Sequence, residues 1–174
     1  NTIDSINQME TLHKLGFQFM SHTTTHRHLN TLDDNEAEWE MKESKKVIDA
    51  ITGKNTDWLC LPRGRYDEKH IKMALDMGYK YIRSTKIFDL QPDKIGLNHT
   101  TIHACPIRPE YEGKNWVDFF DKYLDKAAKE KGNFKFWAHA YELEKYSIWD
   151  EFENCLKKIV KSGILTKQPK KSNI

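Results

Sequence analysis

This chain of 174 residues has no run of apolar residues long enough to span a bilayer, and no signal-peptide pattern is visible in it. It also lacks charge of one sign. Its 28 Lys and Arg are set against 26 Asp and Glu, leaving +2, and the lysines are spread among acids. Nothing in that pattern points to nucleic acid. Cysteine is scarce: Cys60, Cys105 and Cys155 are odd in number, far apart and in apolar contexts, which excludes a disulfide framework and reads as buried free thiols. Internal repeats and low-complexity linkers are absent as well. What is present is 38% hydrophobic, 11% aromatic and 31% charged residues, enough for one domain with a real core under a heavily solvated surface.

Apolar periodicity divides the chain into alternating helices and strands. Ile6, Met9, Leu12 and Leu15 recur every third residue and predict a helix over 4–15 stopped by Gly16, followed by a buried strand over 17–20. Asp33 with Glu36 three residues on resembles a capping box and opens a second helix. Its inner face is Ala37, Met41, Ile48 and Ile51, and Gly53 ends it. Residues 58–61 form an apolar run halted by Pro62 and Gly64. Asp67 caps a third helix with Ile71, Ala74 and Leu75 inward and Gly78 at its end. Residues 79–82, 100–104 and 134–138 read as strands. Residues 115–131 form the clearest helix, its stripe of Trp116, Phe119, Phe120, Tyr123, Leu124 and Ala127 belonging to the core, with Gly132 closing it. A last amphipathic helix covers 149–160. Such alternation predicts a parallel sheet wrapped by helices, whose chemistry collects beyond the carboxyl ends of the strands.

The polar residues of interest fall at those ends. SHTTTH at 21–26 places His22 and His26 four apart behind the first predicted strand. One helical turn there would bring both rings to one face, where they could share a metal ion. The spacing alone equally admits two loop histidines with ordinary hydrogen-bond partners. Thr23 stands where a His-Glu-x-x-His zinc protease needs its glutamate, so that peptidase class is excluded. The Pro62-Arg63-Gly64 turn follows the strand at 58–61, His139 follows the strand at 134–138, and His103 lies within or just past another.

SHTTTHRHL, then LPRGRYD, then FWAHAYEL, in that order, resembles the polysaccharide deacetylases of the NodB-homology type, carbohydrate esterase family 4. The resemblance runs over residues 4–160. It implies an α/β fold, an incomplete deacetylase-type (β/α) barrel with parallel strands and outer helices. Residues 1–163 would be a partial deacetylase domain and residues 164–174 a basic tail. His22 and His26 would be metal ligands, with zinc the expected ion and cobalt or a similar ion an alternative. Pro62, Arg63 and Gly64 would line the sugar groove, joined by Trp137, and His139 would be the general acid. Two departures accompany it. Cys60 stands where many members carry an arginine that orients the base, and the family's Thr-Phe-Asp-Asp-Gly motif, source of the base and a third ligand, does not occur in this sequence. Asp4 and Asp33-Asp34 lie on or at helices and do not replace it. The chain is expected to start after the first strand, helix and second strand of the fold, leaving an open barrel edge able to self-associate.

The reaction so implied is metal-dependent removal of N-acetyl groups from a carbohydrate, with an N-acetylated sugar as partner and neither nucleic acid nor membrane involved. Two other readings stay open: a catalytically inactive carbohydrate-binding relative, and a metal-dependent amidohydrolase acting on a small N-acyl compound. His139 between two alanines also reads as a core histidine, Arg63 and Arg65 as surface charge, and Trp137 and Glu142 as structural residues.

Overall fold

Helices and strands alternate in the computed structural model, which describes residues 2–163: α1 Thr2–Lys14, α2 Asp34–Thr52, β1 Trp58–Cys60, α3 Glu68–Asp76, β2 Tyr81–Arg83, β3 Gly96–Asn98, β4 Ile102–His103, α4 Trp116–Glu130, β5 Phe136–Trp137, α5 Ala140–Lys145 and α6 Trp149–Lys161. The basic tail at 164–174 lies outside the described residues. Internal contacts group the chain into two units: residues up to Lys86 with Asp93–His99, and Ile87–Pro92 with the described residues from Thr100 onward.

In the first unit β1, β2 and β3 form a parallel sheet, with Trp58 opposite Tyr81 and Tyr81 opposite Gly96. α2 forms because local signals agree. The Asp33 carboxylate accepts from the Glu36 amide at 2.8 Å, the Glu36 side chain reaches back, and Gly53 ends the helix in the left-handed region at φ 64°. Ala37 and Met41 on its inner face meet Leu29, Leu59, Leu61, Ala74, Tyr79 and Ile82 in a fully enclosed core. Removing these side chains from water is the main stabilising term, roughly 1.5–3 kcal/mol for each large one.

In the second unit β4 and β5 pair in parallel, Ile102 opposite Phe136 and His103 opposite Trp137. α4 supplies Trp116, Phe120, Leu124 and Ala127 to the core, while half-buried Phe119 and Tyr123 stack on Phe88 at 5.4 and 4.9 Å. The aromatic stripe is therefore core. Strand pairing is parallel within each sheet, as the alternation predicts. The strands are hydrogen-bonded in separate sheets of three and two, so the described residues do not close a barrel.

Two local expectations need correction, the strand over 17–20 and the close of α4 at Gly132, while β3 and α5 carry none. Residues 17–20 form no strand: Phe17 and Met20 are 59% and 43% exposed, and only Ser21 makes a bridge, to Leu59. An apolar run becomes a strand when a neighbour takes its backbone bonds, and here only Ser21 finds one. The helix predicted over 4–15 is present as α1, with Ile6, Leu12 and Leu15 exposed. β3 and α5 give no periodic signal, because Gly96-Leu97-Asn98 has a single large apolar residue and α5 has six residues. Finally, α4 ends on Lys131 in the left-handed region at φ 54°, not on Gly132. Gly132 is there because a Cβ would lie 2.9 Å from the Leu90 carbonyl oxygen.

The Pro62–Gly64 turn is a short 3-10 segment in which Gly64 has φ +63°, and a Cβ there would collide with Thr85 Oγ1 and lie 3.1 Å from its amide nitrogen. Gly64→Ala combines left-handed strain with that collision. It should lower unfolding stability by about 1–3 kcal/mol, read from denaturant midpoints against Gly53→Ala, where the added Cβ meets nothing within 4 Å.

Candidate functional site

Ser21 anchors the histidine loop to the sheet: its amide donates to Trp58 O at 3.0 Å and its carbonyl accepts from Cys60 N at 2.7 Å. Beyond it the chain makes no helical turn. Thr23 and His26 instead take positive φ, 66° and 60°, and this brings the rings of His22 and His26 edge to face with centroids 4.6 Å apart. His22 Nδ1 lies 2.7 Å from the Cys60 carbonyl oxygen. A carbonyl can only accept, so Nδ1 carries the proton and Nε2 offers its lone pair. A backbone carbonyl fixing the tautomer in this way is the usual outer support of a metal-binding imidazole. Thr23 Oγ1, beside His22, is buried with no protein partner. The two histidines thus fit part of a metal site. Among the described residues no third His, Cys, Asp or Glu completes a cluster around them.

The loop is held by a residue that motif reading missed. Glu40, on the inner face of α2 and 1% exposed, accepts from the amides of Thr24 and Thr25 at 2.8 Å each, and from Thr25 Oγ1. Burial works against this carboxylate, but the Thr25 and Thr24 bonds outweigh it and hold the carboxyl below its ordinary range. Its sequence signal was an acid three residues after Ala37, inside an otherwise apolar stripe. Cys60 has Arg83 Nε donating to its Sγ at 3.2 Å from the neighbouring strand. Burial disfavours the thiolate, yet His22 and Arg83 together bring the Cys60 pKa below the usual thiol value, while the bond to Cys60 raises that of His22. In the turn Pro62 is buried, Gly64 half-buried and Arg63 exposed, with Arg63 at φ 50°.

His139 and Trp137 belong to the other unit. His139 follows β5, and its Nδ1 donates to Glu142 Oε2 at 2.7 Å, one α-helical turn ahead in α5. The same oxygen accepts from His103 Nε2 at 2.8 Å. One carboxylate thereby sets the tautomers of two imidazoles. Burial drives the His103 pKa down to about 4, against the field of Glu142, and His103 is neutral at physiological pH. The cost of burying Glu142 is more than offset by His139 and His103, and its pKa falls below the ordinary carboxylate value. His139 has a 40% exposed side chain and is not a core histidine. Trp137 is half-buried, stacks flat on His103 at 3.6 Å and donates from Nε1 to Thr100 Oγ1 at 3.1 Å.

Residues 1–82 match the family model for polysaccharide deacetylase. Over 73 residues the chain is 36% identical to YxkH of Bacillus subtilis (strain 168), a protein assigned by name, provisionally, as a polysaccharide deacetylase; the aligned part is 42% of this chain and 26% of YxkH. In fold the chain resembles a protein of Mycobacterium smegmatis with the same provisional assignment (TM-score 0.68, 10% identity, 94% of this chain and 62% of that one). It also resembles BA3943, a CE4 family pseudoenzyme of Bacillus anthracis (TM-score 0.58, 14% identity, 92% of this chain and 47% of that one). In sequence, the likeness to polysaccharide deacetylases is thus carried by residues 1–82. The chain spans about a quarter of the length of YxkH.

Glu40→Ala should free the 24–25 amides and cost about 3 kcal/mol or more of stability, since three bonds to one charged group are lost. Because the native carboxyl titrates below its unfolded value of about 4.3, the stabilisation is complete above that pH and is lost as pH falls through the native value. Urea titrations of both proteins should therefore differ at pH 7 and converge in acid. A constant difference across that range would mean that Glu40 acts by packing alone.

Proposed function

We propose that this chain is part of a metal-dependent carbohydrate N-deacetylase in which His22 and His26 hold the ion and His139 donates the proton. The observation that carries the reading is the His22–His26 pair, with Nδ1 of His22 spent on the Cys60 carbonyl and Nε2 left for a ligand. Two imidazoles are borderline-soft donors suited to zinc or cobalt. They supply no negative charge, so these two alone should hold the ion weakly. When bound, a divalent ion supplies Lewis acidity toward an amide carbonyl and makes water more acidic.

His139 performs the second half of the chemistry. An amine leaves an addition product readily only when protonated. Glu142 fixes Nδ1–H, so Nε2 is the nitrogen that hands over a proton, and the developing imidazolium is stabilised by the carboxylate behind it. Glu142 is a positioning residue in this scheme. Exposed Arg63, held by the Pro62 and Gly64 turn, and the indole of Trp137 are the proposed sugar contacts. The carboxylate that removes the water proton belongs to the Thr-Phe-Asp-Asp-Gly motif of the resemblance, which these 174 residues do not contain.

A protein joining this chain to a segment with that motif should release acetate from an N-acetylated sugar oligomer, lose activity to chelator and regain it with zinc or cobalt. His26→Ala should abolish metal retention. His139→Ala should keep the metal and slow turnover by roughly two to four orders of magnitude. Loss of metal in both variants would overturn the roles assigned. Sugar binding without acetate release under any metal would favour an inactive binding relative, and activity confined to small N-acyl compounds an amidohydrolase.

A further inference from the structure

A second convergence of side chains lies wholly within the later unit, and the scheme above uses only one of its members. His103 at the end of β4, Cys105 two residues on and Glu142 in α5 each offer one donor atom, and these atoms all lie within 4.8 Å of one another. His103 and Cys105 are 4% and 3% exposed, and the Glu142 side chain 13%. The backbone sets this arrangement. Tyr111 Oη donates to the His103 carbonyl at 2.7 Å and accepts from its amide at 3.1 Å, Cys105 N donates to His103 O at 2.8 Å, and α5 starts directly after His139.

We propose that His103, Cys105 and Glu142 form a binding site for a zinc-class divalent cation, made of residues other than the His22–His26 pair. The donor set is an imidazole nitrogen, a sulfur and a carboxylate oxygen, which selects zinc or cobalt over magnesium or calcium. Thiolate and carboxylate together balance the charge of the ion. Zinc bonds of about 2.0–2.3 Å place tetrahedral donors about 3.3–3.6 Å apart. Cys105 Sγ and Glu142 Oε1 are already 3.7 Å apart, and with all the donor atoms within 4.8 Å of one another, shifts of about 1 Å bring them to that spacing. Glu142 Oε1 can take the ion while Oε2 keeps the proton of His139 Nδ1, so the carboxylate ligand has its own outer partner.

The protons balance as follows. Cys105, whose burial keeps it a thiol, gives its proton to solvent as the metal–sulfur bond forms. The His103 ring shifts from the Nε2–H to the Nδ1–H form, which requires Arg108 NH1, 3.4 Å from Nδ1, to turn aside. Arg108 is already paired through Nε and NH2 with Glu110, which neutralises its charge. Three protein donors leave one coordination position for water or another ligand.

The test is a titration of the reduced, metal-free 174-residue chain with cobalt(II). A near-ultraviolet sulfur-to-cobalt charge-transfer band should appear, persist in His26→Ala, and vanish on adding zinc. Cys105→Ser should abolish the band and Glu142→Gln should weaken cobalt affinity about tenfold or more, whereas Cys60→Ser and Cys155→Ser should retain it. No band in the unaltered chain, a band that survives Cys105→Ser, or one lost with Cys60→Ser would overturn the proposal. Should Cys105→Ser fail to fold by circular dichroism, zinc X-ray absorption of the His26→Ala chain decides instead. One sulfur at about 2.3 Å supports the site, and a shell of nitrogen and oxygen alone refutes it.

Discussion

The loop bearing His22 and His26 depends on one buried carboxylate. Thr23 and His26 sit at positive φ, each costing about 1–3 kcal/mol for a residue with a Cβ. Glu40 accepts three hydrogen bonds from Thr24 and Thr25, and bonds to a charged group contribute roughly 1.5–3 kcal/mol apiece. These magnitudes are comparable, so the strained turn persists because Glu40 is there to receive it. Glu40 is in turn held in place by α2, whose capping box and inner face of Ala37 and Met41 fix its rotation over the core. The chain of cause runs from a helix cap to the orientation of two imidazoles.

In the other unit a single carboxylate oxygen meets two histidines of different exposure. His103, enclosed and stacked on Trp137, pays for desolvation with a pKa near 4 and stays neutral. His139 meets the same Glu142 oxygen yet keeps a 40% exposed side chain. Only the exposed ring can trade protons with a ligand from solution. The enclosed one has donor chemistry to offer only with its neighbours Glu142 and Cys105. The difference lies in burial, since residue type and carboxylate partner are the same.

Where local physics decides, the sequence was legible. Asp33 with Glu36, the stop at Gly53, the break of β1 by Pro62 and the α4 stripe each announce themselves within a few residues and recur in the structure. Signals that need a distant partner misled or were silent. Phe17–Met20 has the composition of a strand and lacks the neighbour that would make it one, whereas Gly96–Asn98 has no strand pattern and becomes β3 because β2 offers it a ladder. The candidate site divides the same way. His22, His26, Pro62, Gly64 and His139 were visible as a motif order, while the dependence on Glu40 was not, being a contact across 15 residues between a loop and a helix face.

The sequence by itself determined the alternation of helices and strands, the parallel pairing and the likeness to polysaccharide deacetylases, because periodicity, caps and motif order are written in neighbouring residues. Tertiary structure alone decided which donors meet: Cys60 with Arg83 across a strand pair, and Glu142 with His139 three residues away and His103 thirty-nine away. A side chain's protonation and ligand capacity depend on what surrounds it in space, and neighbours in space are set by pairing and burial, which no local pattern encodes.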